Sequence, residues 1–163
     1  MNPFIAGQQH NMCFTSGLLT GTGAETVYDT TVTISYCVDG VMKTKTAVTD
    51  GATPTTDGNT GAAFNAVLPD KVCLLVWGLN VSGTVSLYQG PIESVDGETD
   101  VAKIYPQFPQ IPDGITPFAY TVFQTTGASS AAGLLPGTAN WNATGLTATH
   151  VNVSTLPLRP RVS

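Results

Sequence analysis

Two histidines and three cysteines are the only residues of this chain that could serve as an imidazole base or a thiolate nucleophile or ligand. His10 falls in the polar run Gln8-Gln9-His10-Asn11, and His150 alternates with strand-type residues between Leu146 and Thr155. Neither belongs to a catalytic motif, so both read as surface or packing residues. Cys13, Cys37 and Cys73 show no CxxC spacing and have no histidine close by in sequence. The start Met1-Asn2-Pro3-Phe4-Ile5-Ala6-Gly7 has no basic region and no continuous apolar core of the kind a secretory signal needs. An odd cysteine count without such a signal predicts free, buried thiols in a reducing compartment.

The carboxylates offer two further chemistries. Asp96-Gly97-Glu98-Thr99-Asp100, with Glu93 just before it, places oxygens two residues apart in a turn, as a calcium loop does. The full loop spacing and the distant bidentate Glu are missing, so residues 93–100 read as a solvated loop. A paired-carboxylate glycosidase would need one acid whose setting raises its pKa, and no pair is singled out in that way. There is no G-x-S-x-G elbow, no P-loop, no G-x-G-x-x-G opening a helix and no H-E-x-x-H. The expectation is a non-enzyme with no catalytic residues, cofactor or metal. Asn80, Asn142 and Asn152 each begin an N-x-S/T triplet, which carries little weight in a Thr-rich chain without a secretion signal.

The elements around these residues read as strands, because Thr, Val, Tyr and Phe fill the periodic stretches and Gly, Pro, Asn and Asp punctuate them. Thr26 to Val38 alternates Val32, Ile34 and Tyr36 with Thr31, Thr33 and Ser35. Asp39-Gly40 then signals a type I′ turn, and Val41 to Val48 returns with Lys43 and Lys45 outward. Ala62 to Leu68 reads as two helical turns behind a Thr60 cap, stopped by Pro69. The continuous apolar run from Val72 to Trp77 predicts a strand buried on both faces, turned by Asn80-Val81-Ser82-Gly83 into Thr84 to Gln89. Ile115 to Thr125 is a long strand, Thr126 to Asn140 a loose Gly/Ala/Ser excursion, and Leu146 to Thr155 a last strand ended by Pro157 and Pro160.

Between these lies Tyr105-Pro106-Gln107-Phe108-Pro109-Gln110-Ile111-Pro112, with a proline at every third position. Proline fixes φ and donates no hydrogen bond, so the segment should be polyproline-like and lie outside the sheet interior. Tyr105, Phe108 and Ile111 also recur every three residues. The segment is either a pre-ordered apolar strip for a partner or a connector crossing one end of a sandwich.

Charge is distributed unevenly. Gly114 to Leu158 and Met1 to Ala24 contain no Lys, Arg, Asp or Glu, and charged residues make up 10% of the chain against a usual quarter or so. Uncharged flanks suggest covered surface. A membrane is not the cover, since neither flank holds the roughly 18 to 20 continuous apolar residues that spanning requires. Six basic residues and a net charge of −5 make nucleic acid an unfavourable partner. The length of 163 residues fits one domain that buries about 70% of its unfolded surface. The expected fold is an all-β sandwich or jelly roll over residues 25–155 with at most one short helix, an extended amino-terminal arm over 1–24 and a carboxy-terminal arm over 156–163.

Several segments resemble, in order, small structural proteins of tailed bacteriophages encoded beside the capsid genes. They are Gly51-Ala52-Thr53-Pro54-Thr55-Thr56-Asp57, Val76-Trp77-Gly78-Leu79, Pro106-Gln107-Phe108-Pro109 running on to Ile111-Pro112-Asp113, Thr116-Pro117-Phe118-Ala119-Tyr120, Trp141-Asn142-Ala143-Thr144-Gly145 and Thr155-Leu156-Pro157. The likeness spans about residues 46 to 161 and implies a virion component, a head decoration or cement protein. It defines no functional residues to carry over.

Together these readings predict a protein made in the host cytoplasm that binds the outer capsid surface, with the major capsid protein and itself, as a homodimer or homotrimer, for partners. The contact residues expected from composition are Phe4 and Ile5 in the amino-terminal arm, Tyr105, Phe108 and Ile111 in the proline strip, and Leu156, Leu158, Arg159 and Arg161 in the carboxy-terminal arm. The rival is a phage fibre module that recognises carbohydrate by stacking sugars on exposed Trp77, Tyr88 or Trp141.

Overall fold

The computed structural model describes residues 11–16, 19–21, 25–99 and 101–157. These residues form strands and loops with no helix: β1 (Met12–Cys13), β2 (Leu19–Gly21), β3 (Val27–Thr30), β4 (Ile34–Val38), β5 (Val41–Lys45), β6 (Val48–Ala52), β7 (Lys71–Leu79), β8 (Val85–Gln89), β9 (Glu93–Ser94), β10 (Thr116–Thr125) and β11 (Leu146–Asn152). The central sheet runs β11-β10-β7-β8, with β9 on β7 beyond Gly90-Pro91. Two three-stranded sheets, β1-β4-β5 and β2-β3-β6, complete the all-β domain. Every strand pair is antiparallel.

The core strands follow from their residue types. Val72 through Leu79 are all buried, as a continuous apolar run requires of a strand covered on both faces. One face, with Cys73, Leu75, Trp77, Leu79 and Phe123, packs against Ile34, Tyr36, Tyr28 and Leu19 of the small sheets. The opposite face, with Val72, Leu74, Val76, Tyr120 and Val122, forms a second apolar cluster roofed by Phe108, Ile111, Ala102 and Leu156. All three cysteines are free and buried, as the sequence implies.

The Asp39-Gly40 hairpin is present, with φ of 50° and 76° at its two turn residues, the values a type I′ turn needs. Its arms, however, are not two straight strands. Thr26 to Val38 divides into β3 and β4, and Val41 to Val48 gives way to β5 and then β6, so one ribbon contributes to two sheets. Val32, expected on the buried face, lies in the bend and is 39% exposed. A straight strand from Thr26 to Val38 would run roughly 43 Å at about 3.3 Å per residue, well past the roughly 33 Å of a ten-residue strand. Bending at Thr31–Thr33 keeps both halves over the central sheet.

The helix expected over Ala62–Leu68 is absent. Asp57 Oδ1 accepts the amides of Asn59 (3.0 Å) and Thr60 (3.1 Å), and Thr60 Oγ1 accepts that of Ala62 (3.2 Å), so the capping residues close turns instead. Seven residues are too few for a helix to stand on propensity alone. Extended backbone lets Ala63 bridge Thr56, lets Val67 bridge Leu134, and buries Phe64 and Val67.

Two boundaries move as well. The excursion after Thr126 is tied rather than loose: Val67 and Leu134 exchange both amide hydrogen bonds at 2.9 Å, and Pro136 and Gly137 are buried. At the amino-terminal end, Cys13 and Leu19 belong to the main core, so the sheets begin inside the stretch read as an arm.

Candidate functional site

The surface that best suits a partner lies over the outer face of the central sheet, where the proline segment and the end of β11 meet. The prolines of 105–112 keep that segment out of any ladder, and its backbone runs so near Gly90 that an added Cβ would lie 2.5 Å from the Gln107 carbonyl oxygen. Asn59 Nδ2 donates to Gln110 O at 2.7 Å and fixes the segment's far end. Asn11 fixes the next stretch: its Nδ2 donates to Ile115 O at 3.2 Å while its Oδ1 accepts the Asp39 amide at 2.7 Å.

This arrangement leaves two adjoining grooves. The larger, about 480 Å³, is walled by the Ile111–Asp113 turn, Ile115, Pro117, Asn11, Thr155 and Leu156. The smaller, about 430 Å³, runs along Tyr120 and the chain from Val151 to Thr155 to Pro157. Thr155 is exposed and lines both. Among the described residues Asp113 is the single charged one in either wall.

The contact residues expected from the sequence divide into three sets. Ile111 and Leu156 sit together in the larger groove. Phe108 turns inward, edge-to-face with Tyr120 at 5.1 Å, and roofs the second cluster, whereas Tyr105 is 47% exposed. Spacing by three therefore does not put all three side chains to the same use: Phe108 packs inward as a connector's would, and Tyr105 stays outside. Phe4, Ile5, Leu158, Arg159 and Arg161 lie outside the described residues. Composition passed over Val101 and Ile104, which are exposed just before Tyr105. Their signal is two large apolar side chains flanking Lys103 next to an acidic loop.

The interior holds a polar chain that sequence reading missed. Trp77 Nε1 donates to Thr121 Oγ1 at 2.8 Å, and Thr121 Oγ1 lies 2.7 Å from His150 Nδ1. A hydroxyl has one proton and two lone pairs, so beside the indole Thr121 Oγ1 can either donate to Nδ1 or accept from it, according to the imidazole tautomer. Burial pushes the His150 pKa down to about 4. Trp141 packs edge-on against the same ring at 5.1 Å and donates its indole proton to Val27 O at 2.7 Å. A hydroxyl beside an imidazole resembles a nucleophile and its base, but Thr121 is fully buried and lines neither groove. The chain joins β7, β10 and β11 internally.

Other candidate chemistry is similarly committed to structure. Burial pushes the Cys73 thiol up to about 12, far from thiolate reactivity at neutral pH. Asp96 Oδ1 accepts the Glu98 amide at 2.9 Å, and among the described residues no three His, Cys, Asp or Glu gather as a metal site would need. Trp77, Tyr88 and Trp141, the rings considered for sugar stacking, are all buried. No protein-family model, curated protein or solved structure matches this chain.

Proposed function

We propose that this chain is a structural protein of a tailed-phage virion, made in the host cytoplasm, that binds the outer surface of the capsid and ties neighbouring capsomers together, acting by binding rather than turnover. The observation that supports this reading most is the pair of grooves joined at Thr155, nearly free of charge and built from the segments whose composition suggested covered surface. A shell lattice presents the same shallow contact many times, so weak uncharged interfaces add up to lasting attachment. The major capsid protein is the partner, and the protein sits on the shell as a homodimer or homotrimer at a local symmetry axis. Burial of Trp77, Tyr88 and Trp141 counts against the fibre reading as framed on those three rings.

The test is rebinding. Purified protein added to capsids stripped of it should bind and raise the temperature at which the shells disassemble. Thr155→Arg, which puts bulk and charge into both grooves from an exposed position, should fold normally and bind at least about tenfold more weakly. Failure of the wild-type protein to rebind, together with capture on a glycan array, would overturn the proposal in favour of the fibre reading.

A further inference from the structure

We infer that β11 is a self-pairing edge: two copies of this chain join antiparallel along Leu146–Asn152, so that the central sheet continues through a twofold axis. The inference starts from the ladder. Val153 N–H donates to Phe118 O at 3.0 Å, one step beyond the Ala119↔Asn152 pair of β10 and β11. Antiparallel bonding alternates, so the odd-numbered residues turn their amides and carbonyls to β10 and Ala148, His150 and Asn152 turn theirs away from it. Among the described residues the bonds on that outer side lie at its two ends, Leu146 N–H on Ala143 O and Cys13 N–H on Ser154 O, both at 2.9 Å, with Leu19 N–H on the Asn152 side-chain oxygen at 3.0 Å; none of them involves the backbone of Ala148 or His150.

The remaining sheet edges are protected in ways β11 is not. Lys43 and Lys45 stand on β5, and β6 carries Asp50 in a left-handed conformation, φ 52°. The Asp57–Gly58 loop closes β8, with Gly58 N–H on Leu87 O and Gln89 N–H on Asp57 Oδ2. Lys103 N–H covers β9 at Ser94 O, and β1 and β2 are two and three residues long. Charge, cover, twist and brevity are the means by which proteins keep sheet edges from pairing. β11 has seven residues, none charged and none proline.

The occupant that fits is a second β11. A register centred on Thr149 places Ala148 opposite His150, which pairs the outward-facing backbone groups that are free, and brings Leu146, whose amide already bonds Ala143 O, opposite Asn152. Thr149 then faces its own copy, a favourable cross-strand pair, and no like charges meet. A twofold interface must be self-complementary in this sense, and an uncharged strand satisfies it where a lysine-bearing one would not. Val151 and Asn152 at the end of β11 also wall the smaller groove, so the paired edge and the grooves are neighbours.

Sedimentation of the wild-type protein should show a species of about twice the 16.9 kDa chain mass. Thr149 is exposed, so Thr149→Lys and Thr149→Glu should each fold, and each alone should weaken the dimer at least roughly tenfold by setting like charges face to face. An equimolar mixture of the two should recover a dimer. Hydrogen exchange provides a check without substitution: the Ala148 and His150 amides should be protected in concentrated protein and exchange faster on dilution. A wild-type monomer at millimolar concentration, an oligomer insensitive to both substitutions, or no concentration dependence at those two amides would overturn the inference.

Discussion

At the scale of single residues, His150 shows how a titratable group can be structural. Its ordinary pKa of 6.5 is lowered to about 4, so between those values the unfolded chain takes up a proton that the native state refuses. Stability should therefore be at its full value above pH 6.5 and fall as the pH drops toward 4, by up to about 3 kcal/mol from this group. Denaturant unfolding at several pH values should show that decline, and His150→Gln should remove the part between pH 6.5 and 5, above the ordinary carboxylate range. Glycines give a second residue-scale contrast. Gly40 and Gly137 both adopt a positive φ, but a Cβ at Gly40 would meet open space whereas one at Gly137 would run into the Pro54 carbonyl. Gly40→Ala should cost about 1 kcal/mol, and Gly137→Ala about 3 kcal/mol or more because it also forces the 126–140 loop off the core. Thermal midpoints of the two variants check the order. Neither role could be read from the sequence, since a lone His in an alternating strand and a Gly in a Gly-rich loop look alike whether or not they are packed.

Among the elements, those whose pattern is local were legible and those that depend on distant partners were not. β7, β8 and β10 follow from an apolar run and two alternations, and the Asp39-Gly40 turn from its residue pair. The bend that parts β3 from β4 has no local signature, because Thr-Val-Thr suits a strand as well as a break. The same holds for Ala62–Leu68, which is held extended by Thr56 and Leu134 rather than by its own propensity. The amino-terminal strands make the strongest element-scale prediction. Cys13 N–H donates to Ser154 O at 2.9 Å, and Cys13 and Leu19 fill the main core. Deleting Met1–Ala24 should thus lower stability by several kcal/mol or leave the chain unfolded, rather than yield an intact domain. Circular dichroism and solubility of the truncated protein decide between these outcomes.

For the molecule as a whole, the uncharged stretch from Gly114 to Leu158 serves three purposes. Part is core in β10, part is the tied loop after Thr126, and the remainder forms the edge strand β11 and the wall of the two grooves. Buried thiols follow the same division: in native protein a thiol reagent should leave Cys73 unmodified, and in denaturant all three cysteines should react, as mass spectrometry after alkylation can show. By itself the sequence determined the all-β class, the two hairpins, the free thiols and the segment that would stay outside the sheets. These rest on propensity, period and φ restrictions, which act between near neighbours. Only the tertiary structure decided which third-position side chain of the proline strip stays outside, that Ile111 and Leu156 share a groove, and that the uncharged β11 is the outer strand of the central sheet. Those outcomes depend on which segments meet after the chain has closed loops of tens of residues, and residue type carries no record of that meeting.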